Sequence, residues 1–232
     1  TFLQRAIDQI IVDVGLASCN VVFAIDRAGL VGEDGATHHG LYDLAYLRMI
    51  PGMRVLCPSD EAELVHALHT ALQLEGPVAV RYPRGAAMGV PIPETPAVLP
   101  YGKANIRRRG KKLTILSFGN MLKEALGAAE LLAEQGEDAR VVDMRWAKPI
   151  DPKAVANAAR TNLVVTVENG VLAGGAGEAV LGMMAQMNLT TPTLLLGIGD
   201  KVVAHGKPDE LLHELGLDAE GIANAIIDRL RD

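Results

Sequence analysis

Short apolar, β-branched runs alternate with helix-length segments along most of the chain, and this order restricts the fold. Residues 21–25, 54–57 and 78–82 read as strands, with helical patterns over 41–50 and 58–75 between them. Ser59 is the expected N-cap of the second helix, and Gly76-Pro77 stops it. A strand that returns through a helix pairs most readily in parallel, so the pattern predicts a doubly wound sheet. The alternation then breaks. Residues 85–101 carry Pro91, Pro93, Pro96 and Pro100, which forbid a regular helix. It resumes with strands expected over 113–118, 139–143, 163–167 and 193–198. Helices are expected from Gly119-Asn120 to about 135, through 160, over 178–187, 208–215 and 218–230. Asp151 is the expected N-cap of the one ending near 160, with Pro152 at its first position. The expected fold class is α/β, with two domains, residues 1–100 and 101–232, each a mainly parallel sheet flanked by helices.

An apolar share of 49% allows sizeable cores, and with only 3% aromatic residues aliphatic side chains must do the packing. The net charge of −6 argues against a general nucleic-acid binder. Arg107, Arg108 and Arg109 with Lys111 and Lys112 form the one basic cluster. Beside Gly110 it reads as a solvated turn, with a local anion or interface role as the alternative. Cys19 and Cys57 are too few for a disulfide framework or a zinc site, and read as buried thiols of a reducing compartment. No signal peptide or membrane-spanning run is visible, which says little about the full gene product; a cytoplasmic location is expected. Thr1 opens abruptly in a helical pattern without Met, so the true amino terminus is expected elsewhere.

Chemistry-bearing residues concentrate in the loop after the first strand. Residues 26–40 bring together Asp26, Arg27, Glu33, Asp34, Thr37, His38 and His39, punctuated by glycines. Ligands of open α/β sheets sit beyond the carboxyl ends of strands, where this loop lies. On spacing alone, a solvated polar loop fits equally well. Upstream, apolar residues recur at helical spacing over 2–17, which makes Phe2 a core anchor and Arg5 a surface charge. His66 and His69 share a helix face, but no third ligand is suggested nearby. Gly174-Gly175-Ala176-Gly177 precedes a helix and could meet a phosphate. It lacks the full dinucleotide spacing, so tight packing is preferred.

Asp26-Arg-Ala-Gly-Leu-Val-Gly-Glu-Asp-Gly-Ala-Thr-His-His-Gly40 resembles the hallmark of the 1-deoxy-D-xylulose-5-phosphate synthase family. The flanks agree: Thr1-Phe-Leu-Gln-Arg-Ala6, Tyr42-Asp-Leu-Ala-Tyr-Leu-Arg48, Pro58-Ser-Asp-Glu61 and Arg81-Tyr-Pro-Arg-Gly85. The resemblance implies a pyrimidine-binding transketolase-like domain, incomplete at its start, followed by a transketolase carboxyl-terminal domain. It implies a thiamine-diphosphate enzyme that condenses pyruvate, with decarboxylation, and D-glyceraldehyde 3-phosphate. The product, 1-deoxy-D-xylulose 5-phosphate, feeds isoprenoid, thiamine and pyridoxal synthesis. The diphosphate, its Mg2+ and the carboxylate that activates the aminopyrimidine are implied to lie upstream of Thr1, so no metal ligand is expected here. The chain alone is expected to be inactive, and a homodimer is expected.

The family's residues carry over as follows. Phe2 and Arg5 border the aminopyrimidine. His38 and Asp34 are catalytic, and Arg27 and Arg84 hold the acceptor's phosphate. His39 takes a supporting or exposed place. Val167-Glu-Asn-Gly170 and the glycine run are packing or interface features, and His205-Gly206 is a closing motif without catalytic assignment. Two alternatives stand beside this reading. One is the β-type component of a 2-oxo-acid dehydrogenase. The other is a non-catalytic interaction module of the same fold.

Overall fold

The computed structural model describes residues 2–231. Strands β1 (Val22–Ile25), β2 (Arg54–Leu56) and β3 (Val78–Arg81) pair in parallel, with β3 in the middle. The middle strand is buried throughout and therefore apolar up to its last residue, Arg81. The second sheet runs β4-β6-β5-β8-β9. Here β5 (Leu113–Ser117), β6 (Ala139–Asp143), β8 (Leu163–Val171) and β9 (Thr193–Ile198) are parallel, and β4 (Asn105–Arg108) is an antiparallel edge. The expected two-sheet α/β architecture is present.

Helix α1 (Ile7–Gln9) is the middle of an irregular segment, and α2 (Asp43–Met49) and α3 (Glu61–Leu72) follow. Helices α4 (Leu122–Glu134), α5 (Pro152–Ala158), α6 (Ala176–Gln186), α7 (Pro208–Glu214) and α8 (Ala219–Arg231) belong to the second half. Asp151 caps α5 as expected, accepting from Lys153 N–H at 2.9 Å and Ala154 N–H at 3.4 Å.

Several expectations are corrected. Arg107 and Arg108 lie in β4 instead of a turn. Arg107 approaches Asp143 at 3.8 Å, and Arg108 donates to the Ala139 carbonyl. An edge strand with one solvated face tolerates such charge, so the local composition disguised it. The cap of α3 is Asp60, whose carboxylate accepts from Glu63 N–H at 2.8 Å. Ser59 instead donates to Asp143 Oδ2 at 3.0 Å. Residues 2–15 form a 3-10 turn (Phe2–Ala6), α1, and a π-helix (Ile10–Gly15) in place of one regular helix. The wider π turns rotate the apolar stripe, and only Ile10 and Gly15 are buried. Phe2 is 61% exposed, so it is no core anchor.

One element had no sequence signal. Strand β7 (Trp146–Lys148) comes from the second half of the chain but pairs antiparallel with β2 in the first sheet. The fully buried Trp146 packs with Leu56, Val78 and Val80 of that sheet. A second apolar cluster joins Leu44, Leu47 and Val55 to Phe118, Val142 and Ala176. The two halves thus share a continuous core. The proline-rich stretch is strapped along α3: Val90 N–H donates to Glu61 Oε1 at 2.6 Å, Ala97 N–H to His66 Nδ1 and Leu99 N–H to Thr70 Oγ1, both at 2.8 Å. His66 is a strap anchor.

Candidate active site

The loop 26–40 leaves β1 and closes on itself. Gly29 and Gly40 exchange backbone hydrogen bonds, each 2.8 Å. Gly29 has φ +78, a conformation that glycine adopts without strain. Just inside this pinch, Val31 N–H donates to His39 Nδ1 at 3.1 Å, and His39 Nε2 lies 3.1 Å from the Ala204 carbonyl. A backbone N–H can only donate, so Nδ1 accepts and Nε2 carries the proton. His39 is buried and ties the loop to the second half of the chain.

Arg27 and Arg84 follow the ends of β1 and β3, which are adjacent and parallel. Their guanidinium groups converge. Arg27 Nη1 meets Asp34 Oδ2 at 3.1 Å, and Arg84 Nη1 bonds the same oxygen. All three side chains remain partly solvated. His38 stands apart from Asp34 in its bonding. Its Nδ1 lies 2.9 Å from Thr37 Oγ1, and its ring meets Phe2 edge-on, centroids 5.5 Å apart at 84°. The Arg5 guanidinium sits 5.7 Å from the Phe2 centroid. The expected site residues therefore form two groups, Phe2–Arg5–His38 and Arg27–Asp34–Arg84. A cleft of ≈ 660 Å³ opens beside the second group, lined by Leu30, Tyr82, Arg84, Asn169, Met121 and Leu212 from both halves of the chain.

The residues beneath the loop were not singled out from the sequence. Buried Arg81 Nε donates to Asp43 Oδ2 at 2.7 Å, and Nη2 to Asp43 Oδ1 at 3.1 Å. Nη2 also reaches the carbonyls of Gly40 at 3.2 Å and Asn169 at 3.0 Å. An arginine closing an apolar strand needs such partners, and Asp43 at the start of α2 supplies the charge. The signal was Arg81 itself, a cation at the end of a buried run.

The glycine run resolves as packing. Glu168, buried in β8, accepts from Ala176 N–H at 2.9 Å and Gly177 N–H at 2.7 Å, so a side chain of the same chain fills the anion place at the α6 terminus. A Cβ on Gly175 would lie 2.6 Å from Glu168 Oε2, and one on Gly177 2.6 Å from Thr166 Oγ1. Burial pushes the Glu168 carboxyl up to about 7, against the pull of the two amides, Arg81 and Arg48. A carboxyl raised on folding stabilises below its unfolded value and loses that contribution as pH rises through the folded one. The urea midpoint is therefore expected to be higher at pH 6 than at pH 8, and Glu168→Gln to flatten that slope. An unchanged slope in the variant would assign it to other groups.

Residues 1–89 match the family model described as transketolase, pyrimidine binding domain, and residues 102–222 that of transketolase, C-terminal domain. The chain belongs to the transketolase family. Its relatives include the 1-deoxy-D-xylulose-5-phosphate synthases of Chromobacterium violaceum, 52% identical over 231 residues, and of Acidovorax ebreus, 51%. These alignments cover 99% of this chain and 37% and 36% of those proteins, so the chain spans just over a third of their length. Among solved structures, a "split gene transketolase, inactive beta4 tetramer" superposes with TM-score 0.86 at 33% identity, over 98% of this chain and 72% of that one. Transketolase of Campylobacter jejuni gives TM-score 0.74 at 21% identity, over 98% and 34%, a likeness of fold. As a transketolase-family chain it carries the signature loop in its pyrimidine-binding part and the Asn169 and Glu168 supports in its C-terminal part. Family membership implies dependence on thiamine diphosphate. Among the described residues, no group of three or more His, Cys, Asp or Glu side chains is placed to hold a metal ion. No helix among them is long and apolar enough to cross a membrane.

Proposed function

We propose that this chain supplies the acceptor-binding and pyrimidine-side part of a 1-deoxy-D-xylulose-5-phosphate synthase. Such an enzyme joins pyruvate, with decarboxylation, to D-glyceraldehyde 3-phosphate. The observation that carries the proposal is the convergence of Arg27 and Arg84 from adjacent strand ends on Asp34, in the loop that also holds His38 against Phe2. The names of relatives about half identical over the whole chain support the same chemistry and speak against a 2-oxo-acid dehydrogenase component.

Arg27 and Arg84 hold the phosphate of the acceptor, for which paired guanidinium forks are suited. In its absence Asp34 neutralises both. A phosphate dianion competes with that carboxylate and frees it to accept from an acceptor hydroxyl. His38, four residues beyond Asp34 in the same loop, is the residue we assign to proton transfer. The exposed Phe2 ring, with Arg5 alongside, fits the flat aminopyrimidine of thiamine diphosphate. When bound, the cofactor supplies the electron sink for decarboxylation. The ligands of its diphosphate and of Mg2+ are assigned by the family resemblance to the amino-terminal half of such a synthase. On this reading the chain alone turns nothing over, and it works as a homodimer in the cytoplasm. The exposed Val12 and Leu16 of the first helical segment support an apolar partner there.

The test is steady-state kinetics on an active assembly, this chain supplied with the amino-terminal half of a relative. Arg84→Ala is expected to raise the apparent KM for the phosphorylated aldehyde by ~10-fold, the lower end for a charged hydrogen bond because Arg84 is half exposed. The apparent KM for pyruvate, which has no phosphate, is expected to hold. Equal losses for both substrates would end the clamp. No product from any pair of 2-oxo acid and aldehyde would favour the interaction module.

A further inference from the structure

A buried bracket holds both legs of the signature loop, and its far end is in the C-terminal part of the chain. Asn169 Oδ1 accepts from Leu30 N–H at 3.1 Å on the first leg. The Asn169 carbonyl accepts from Arg81 Nη2 at 3.0 Å, and the same nitrogen reaches the Gly40 carbonyl on the second leg at 3.2 Å. Leu30, Gly40, Arg81 and Asn169 are all buried. The approach is close: a Cβ on Gly29 would run into the Asn169 side chain. His38 lies eight residues beyond Leu30 and two before Gly40, inside the pinch of Gly29 and Gly40. Its bond to Thr37 stays within the loop, and its ring contact is with the exposed Phe2. Neither fixes it to the sheets. His39, through Ala204, gives the loop a second tether, so losing the bracket shifts the loop without releasing it.

We propose that the Asn169 side chain is a positioning group: by holding Leu30, next to the Arg81 contact that ties the main-chain carbonyls of Asn169 and Gly40, it sets where His38 and Asp34 stand over the strand ends. The C-terminal part of the chain thereby takes part in the site without touching substrate. The importance of His38 rests on the function proposed above; the bracket itself does not.

The test compares Asn169→Ala with Asn169→Asp, which keeps an acceptor in the Oδ1 position, in the 232-residue chain. Two things are measured: amide exchange at Leu30, Val31, Ile115 and Val165, and the NMR titration of the His38 ring, identified by its loss in His38→Gln. In the alanine variant Leu30 exchange is expected to rise about tenfold, as for one lost hydrogen bond, with Ile115 and Val165 far less affected. The His38 titration midpoint is expected to move as well. The aspartate variant should restore protection at Leu30; because it also adds a charge, the titration comparison is between the alanine variant and the unaltered chain. A His38 titration that overlays the unaltered chain while Leu30 exchange rises would overturn the proposal and leave Asn169 as packing. So would equal loss of protection at all four amides. If the alanine variant fails to fold, Asn169→Ser, whose oxygen is set too close to the backbone to reach Leu30, carries the same comparison. No reading needs turnover. An assembly without product would end the functional proposal and leave this one standing; an unmoved His38 would do the reverse.

Discussion

Arg81→Ala is expected to destabilise the chain by about 3–5 kcal/mol, the range for breaking a buried ion pair from one side. The Arg81 and Asp43 side chains are 2% and 5% exposed, so water cannot replace the lost partner. Two further acceptors, the Gly40 and Asn169 carbonyls, lose their donor. Asp43 is left as an uncompensated buried charge, which outweighs the removed side-chain volume. The sign of this explanation is checkable. Removing both charges, as in Arg81→Met with Asp43→Leu, should cost clearly less than Arg81→Ala alone, because the penalty is the orphaned charge and the attraction itself is small after desolvation. Urea unfolding of the three chains decides it. A double variant as unstable as the single would place the loss in the carbonyl contacts and the loop.

His38→Ala is expected to lower turnover by about two to four decades in an active assembly, the usual worth of a positioned acid–base group. The ring is half-buried, with one nitrogen against Thr37 and one edge on Phe2. That arrangement leaves Nε2 for a proton to come or go, since Nδ1 has its partner in Thr37. Binding should change less than kcat, because the phosphate is held by Arg27 and Arg84 instead. His38→Gln, which keeps a polar group but cannot carry a proton at neutral pH, should not recover the rate. A variant with intact folding and unchanged kcat would remove His38 from the chemistry.

Much of this was legible because apolar periodicity reports burial directly. β6 and β9 lie on their expected residues, as does the Asp151 cap. The convergence of Arg27 and Arg84 was legible too, since parallel strands put their carboxyl ends on one side. Three kinds of element escaped. β4 is charged because it is an edge, and β7 is too short to show a period. Residues 2–17 show a helical period, but the segment opens as a 3-10 turn instead of a regular helix, and Phe2 faces His38 instead of a core. The bracket escaped because Leu30 and Asn169 are 139 residues apart, and nothing local marks an asparagine whose partner is a distant backbone amide.

Strand β7 has a consequence for handling the chain in pieces. A protease cut within residues 85–101 would sever the peptide without separating two bodies, since Val55 and Leu56 stay paired to Lys148 and Trp146. A fragment ending near residue 100 would present β2 as a bare sheet edge, with the slot for Trp146 open to water. Edges of that kind recruit foreign strands. The expressible unit is therefore the pair, and genetic fusion or splitting succeeds only where both pieces can find one another again.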